Sequence, residues 1–151
     1  MANDIEKRIE LKAPMARVWT ALTDYREFGE WFGVKLERPF AVGETARGHI
    51  TYPGYEHLVL EATVVTMDPE RLFSFTWHPY AVDPAVDYST EAPTLVEFHL
   101  EKIAAGTLLR VTESGFDKIP PGRRPLALRM NDGGWAQQMK NIERHVAAQR
   151  A

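Results

Sequence analysis

Cysteine is absent from the 151 residues, which removes disulfides, thiolate metal sites and a cysteine nucleophile together. A charge excess is absent too. The 18 basic and 21 acidic side chains leave a formal net charge of -3, too little for an overall pull toward nucleic acid or anionic lipid. No apolar run approaches the length of about 18 residues that marks a membrane span. The N-terminal stretch "MANDIEKRIELKAP" carries charges every second or third residue and no apolar signal-peptide core. The expectation is a cytoplasmic protein with neither a nucleic-acid nor a membrane partner.

Catalytic and cofactor signatures are equally scarce. There is no G-x-x-x-x-G-K-[ST] and no G-x-G-x-x-G, so no nucleotide-binding loop is read. His49, His57, His78, His99 and His145 are scattered, without the H-x-x-x-H or H-E-x-x-H spacing that sets two ligands on one helical face. Ser114 stands in "ESGF", not in the G-x-S-x-G of a nucleophile elbow. No metal, no cofactor and no dedicated catalytic residue are therefore expected. Repeats, low-complexity tracts and linkers are missing as well, and one domain over 1–151 follows from the length.

What is present is a well-patterned globular chain, 44% hydrophobic and 26% charged. "DIEKRIELK" sets Ile5, Ile9 and Leu11 against Glu6, Arg8 and Glu10, the period of a half-exposed strand. "APMARVWTALTD" opens with Pro14 and places Met15, Val18, Trp19 and Leu22 at helical spacing. "YREFGEWFG" predicts a second short helix ending at Gly33. From there to about Glu113 strands and turns alternate. "GETARGHITY" puts Ala46, Gly48, Ile50 and Tyr52 on one face, and "RLFSFTWH" alternates Phe73, Phe75 and Trp77 with Leu72, Ser74 and Thr76. "PYAVDPAVDYSTEAP" reads as one long loop, and "AAG" joins two further strands as a hairpin. The rest is helical, with Trp135, Met139, Ile142 and Val146 in one narrow stripe.

Strands in a run with helices at the ends argue for an α+β class. A meander cannot close its own apolar face. Phe73, Phe75, Trp77, Phe98, Leu100, Leu109 and Val111 are the expected partners of the terminal helix. A curved antiparallel sheet wrapped around a long C-terminal helix, with two short helices after strand one, is the helix-grip arrangement.

The ordered set "APMARVWTALTDYREFGEWFG", "VVTMDPERLFSFTW", "TLVEFHLEKIAAGTLLRVTESGF" and "GGWAQQMKNIERHV" resembles the START-like (SRPBCC) superfamily. Within it, the similarity is to the branch of the C-terminal domain of the Hsp90 ATPase activator, the AHSA1-like branch. The resemblance implies the same curved sheet, the two small helices between the first strands, and a long helix enclosing an apolar cavity. It also implies a choice of roles, because the superfamily includes lipid and hormone binders, cyclases, ring-hydroxylase subunits and co-chaperone domains. Function has to be argued at the site.

The expected site is a cavity walled by Trp31, Tyr52, Phe75, Trp77, Phe98, Glu113, Asn131, Trp135 and Met139. Glu113 shares strand parity with Leu109 and Val111, which points a carboxylate inward; Arg129, Asn131, the Trp77 indole or a ligand can meet it. A bulge at "ESG" that frees Glu113 to solvent is the alternative. Gly133 and Gly134 either let the helix tilt so that a ligand or strand approaches its backbone, or break it, with Asp132 capping a second helix. Arg123 and Arg124 stand beside the proposed entrance as solvated charges, or greet an anionic ligand head. The functional expectation is a binding protein for a small apolar or amphipathic ligand. The rivals are a chaperone-like protein-interaction module and a cavity enzyme with Glu113 as acid or base.

Overall fold

The computed structural model describes residues 4–83 and 85–148. Strand β1 (Ile5–Leu11) is followed by helices α1 (Met15–Thr23) and α2 (Tyr25–Phe32). A short β2 (Val34–Leu36), which the sequence pattern did not single out, leads into β3 (Thr45–Ile50), β4 (Val59–Asp68) and β5 (Leu72–Trp77). After the long loop come β6 (Thr94–Ile103), β7 (Gly106–Ser114) and helix α3 (Arg124–Ala148). All seven strands form one antiparallel sheet in the order β1-β7-β6-β5-β4-β3-β2. The expected α+β helix-grip class is therefore the observed one.

Local chemistry accounts for the short helices. Asp24 caps α2, its carboxylate accepting from the N–H groups of Arg26 and Glu27 at 2.9 and 3.2 Å. Gly33 ends that helix at φ 93°, a left-handed position where a side chain would also strike the Tyr52 ring. The Trp31 indole donates to the Ala21 carbonyl at 2.8 Å, tying α2 to α1. Gln138 on α3 reaches the Phe32 carbonyl at 2.9 Å, so the terminal helix is fastened to the end of α2.

The core is aromatic. Phe28, Phe73, Phe75, Phe98 and Phe116 are fully buried, and the α3 stripe of Trp135, Met139, Ile142 and Val146 is buried on top of them. Phe73, Phe75, Phe98, Leu100, Leu109 and Val111 form the buried sheet face as their alternation requires; Trp77, one strand position nearer the open end, is only half-buried.

Three expectations are corrected here. Helix α3 runs without a break through Gly133 and Gly134, and Asp132 caps nothing: it pairs with Lys7 of β1 at 3.1 Å. A Cβ placed on either glycine meets nothing within 4 Å, so no strand among the described residues approaches the backbone there. Tyr52 lies beyond the end of β3 and is 44% exposed, because the chain leaves the strand after Ile50 and the alternation does not continue to it. The bulge at "ESG", weighed as the alternative to an inward Glu113, is not formed: Glu113 stays in register with Ile5 and Val96, and a register shift lies instead between Val64 and Thr66 of β4. None of the described helices is long and apolar enough to cross a membrane.

Candidate ligand-binding site

The site is built outward from Glu113. Parity on β7 turns its side chain inward, and the residue is 0% exposed. Four donors converge on the carboxylate. The Trp77 indole N–H and the Thr94 hydroxyl donate to Oε2, at 2.8 and 2.5 Å; the Asn131 amide and the Trp135 indole N–H donate to Oε1, at 2.9 and 2.8 Å. These four bonds match the acceptor capacity of a carboxylate, whose two oxygens offer about four lone-pair sites. Among the described residues no ion pair involves Glu113 and no buried side-chain nitrogen or oxygen lacks a partner. Arg129 lies on the exposed side of α3. Glu113 is thus held by neutral dipoles alone, and it joins β5, β6, β7 and α3 at one point.

That geometry sets what Glu113 can do. With its lone pairs filled from within the protein, it fixes the orientation of two indoles and an amide. It presents no free oxygen to a ligand, as an acid or base in a cavity must.

The space beneath Trp135 is occupied by rings. Trp135 stacks on Trp77 with centroids 5.7 Å apart and meets Phe98 and Phe32 edge-on at 5.6 and 6.1 Å. Phe75 and Met139 are buried in the same packing. The opening lies beside this cluster: a cleft of about 450 Å³, inside the range of small-molecule sites, whose lining includes Phe32, Ile50, Leu60, Trp77 and Asn131. Its outer wall is formed by residues 78–82 and 86–89, among them Tyr80, Val82, Val86 and Tyr88.

Of the nine expected wall residues, Trp77 and Asn131 line this cleft. Trp31 and Tyr52 line a different depression of about 450 Å³ beside Asn141 and His145. Phe75, Phe98, Glu113, Trp135 and Met139 line neither. Trp135 and Glu113 act from behind, holding the floor.

The wall segment was legible only as a loop, yet it is tightly held. Arg123, in the turn before α3, donates from Nη2 and Nε to the Glu91 carboxylate at 2.7 and 3.2 Å, and from Nη1 to the carbonyls of Pro79 and Tyr80 at 2.8 and 3.1 Å. Its guanidinium also lies 4.7 Å from the Tyr88 ring centroid. Tyr80 sits at φ 50°, a position a non-glycine residue holds only when its surroundings fix it. His78 Nε2 donates to the Glu91 carbonyl at 3.0 Å, since a carbonyl can only accept. Asp87 caps a short 3-10 turn over Tyr88–Thr90; the Ser89 hydroxyl, and with it the Ser89 N–H, hold its carboxyl below the ordinary range. Neither arginine is therefore a solvated charge: Arg123 anchors this strap, and Arg124 donates to the carbonyls of Asp117 and Ile119.

Tyr80, Val86, Tyr88 and Glu91 were not expected at the site; Arg123 was expected beside the entrance, but not as the anchor of its wall. One signal was available: "YAVDPAVDY" is too apolar for a loop that covers nothing. No group of three or more His, Asp or Glu among the described residues is arranged to hold a metal.

The family model described as "Activator of Hsp90 ATPase homolog 1-like protein" matches residues 12–147. The chain belongs to that family. This AHSA1-like chain is 26% identical to protein MLL2253 of Mesorhizobium loti, with a TM-score of 0.76 over 98% of this chain and 99% of that one. DynU16, from the dynemicin biosynthetic locus, is 23% identical at a TM-score of 0.73 over 96% of this chain and 47% of its own. The Aha1 dimer of Colwellia psychrerythraea is 18% identical at 0.68, over 93% and 92%. At those identities the last two share the fold alone. No curated protein matches the AHSA1-like chain significantly. The family carries ligand-binding or protein-binding modules, and which of these this member is must be argued from the cleft.

Proposed function

We propose that this AHSA1-like protein binds a small apolar or amphipathic molecule in the cleft between the strap of residues 78–82 and 86–89, the β3–β5 face and the first half of α3. The observation that carries the reading is a cavity of about 450 Å³ whose floor residues, Trp77 and Asn131, are both pinned by Glu113. A concave, largely apolar space with a few oriented polar groups is what small-molecule recognition needs. The reading moves the ligand from beneath Trp135, where rings already pack, to the space in front of Trp77. Fluorescence titration with N-phenyl-1-naphthylamine tests it. The native protein should enhance the dye's emission saturably, and Val86→Arg, on the 44% exposed rim, should weaken binding about tenfold or more by placing a charge where an apolar contact was. Saturable binding that Val86→Arg leaves unchanged would place the dye elsewhere and contradict the proposal.

A second reading, a protein-interaction module with a chaperone-like partner, has one observation in its favour. Leu126 and Met130 stand one turn apart on α3, 40% and 44% exposed, and are followed by Gly133 and Gly134 with no neighbour. Stimulation of an Hsp90 ATPase by the native protein, lost in Leu126→Glu/Met130→Glu, is the outcome that this reading requires.

A further inference from the structure

Resting on the cleft reading above, we infer that the site selects amphiphiles that are neutral or positively charged, such as flat rings bearing an amine, and discriminates against anionic ones.

The first argument is the direction of the hydrogen bonds around the floor. Glu113 takes the Trp77 indole N–H and the Asn131 amide N–H into the core. The Trp77 indole is thereby spent as a donor, while the Asn131 amide, which has two N–H groups, keeps one. Because Asn131 donates through Nδ2 to a group that can only accept, its Oδ1 is left as an acceptor. The same logic holds at His78: with Nε2 donating to the Glu91 carbonyl, the neutral ring keeps Nδ1 as an acceptor.

The second argument is charge. Among the lining residues are the carboxylates of Glu61 and Asp87, and no lysine or arginine. Glu61 pairs with Arg47 at 3.0 Å on the outer side of β3, both more than half exposed, so its charge is screened and not removed. Two arginines touch lining residues: Arg47 is paired with Glu61, and Arg123 is committed to Glu91, two carbonyls and the Tyr88 ring. Arg123 cannot meet an anionic head without releasing the strap. Rings add to this: the negative faces of aromatic side chains attract cations and repel anions, and Trp77 and Tyr80 line this space, beside a Tyr88 ring that already carries the Arg123 guanidinium. The Tyr88 hydroxyl accepts from the Asp83 N–H at 3.1 Å and so keeps its own proton to donate.

A matched series tests this: 1-naphthylmethylammonium, 1-naphthalenemethanol and 1-naphthoate share one ring system and differ in charge. Each is titrated into 15N-labelled protein while the Trp77 indole N–H and the strap amides are followed by NMR. The ammonium compound should bind about tenfold more tightly than the carboxylate at low salt, with the alcohol between them and the gap narrowing as salt rises. In Glu61→Gln/Asp87→Asn, where asparagine still caps the turn, the gap should fall to about threefold, which is the part left to the rings. Equal or tighter binding of 1-naphthoate at the Trp77 indole would overturn the charge inference while leaving the cleft reading intact. If all three compounds leave these signals unmoved, the cleft reading fails and the inference fails with it.

Discussion

At Glu113 the chain buries a carboxylate among four donors and, among the described residues, no cation, so removing it orphans the donors that water cannot reach. Glu113→Leu leaves the buried Trp135 indole N–H and Thr94 hydroxyl without an acceptor, while the half-buried Trp77 and Asn131 can turn to water; at about 1–3 kcal/mol for each buried donor left unmade, the loss is expected to be about 2–6 kcal/mol. Glu113→Gln keeps the shape but turns an amide N–H₂ toward two donors, and about 2 kcal/mol is expected. Urea unfolding of the two variants against the native protein measures both. A cost near zero for Glu113→Leu would mean that the hub is not holding the floor. The glycines of α3 predict the opposite sign. Gly133 and Gly134 are helical and face open space, so Gly133→Ala and Gly134→Ala should each stabilise by about 0.5–1 kcal/mol. An increase in Tm for both, with unchanged dye binding, is the expected result; a loss would show that something occupies that face in solution.

The strap is the element on which the cleft depends, and the Arg123 guanidinium ties it to the turn before α3. Arg123→Met should cost about 1–3 kcal/mol, because the Glu91 carboxylate and the Pro79 and Tyr80 carbonyls lose their common donor. Hydrogen exchange localises the effect: amides over 80–90 should exchange faster while Met139 and Ile142 remain protected. Lysine should not restore the native pattern, since a point charge cannot hold Glu91 and two carbonyls at once. If Arg123→Met left the strap amides as slow as in the native protein, the latch would be refuted. The Asp87 cap within the strap has a pH signature. Its folded carboxyl is held low by Ser89, so its contribution is complete above the ordinary carboxylate range and is lost as pH falls through the lowered value; Ser89 amide exchange, corrected for its intrinsic pH dependence, should report that loss.

Across the whole molecule, what repeats along the chain was readable and what converges in space was not. Period-2 alternation on β7 put Glu113 on the inward parity, with a bulge as the alternative, and the 3.6-residue period gave the stripe from Trp135 to Val146, because each follows from local geometry. Trp77 and Asn131 were named as partners of the carboxylate; Thr94 and Trp135 were not, since strand order decides which side chains meet and a single chain's pattern does not state that order. Tyr52 was misplaced because alternation has no mark for where a strand stops. The strap has no period at all, so its tyrosines and the arginine that anchors it emerge only once the turn before α3 is seen beside it. The central claim is that the ligand sits in front of Trp77, between the strap and the sheet, and not under Trp135. Chemical-shift mapping with 1-naphthalenemethanol tests it most directly. The account predicts shifts concentrated at the Trp77 indole, the Asn131 amide and the backbone of 80–88, with Met139 and Ile142 unmoved; shifts centred on Phe98, Trp135 and Met139 with a silent strap would contradict it.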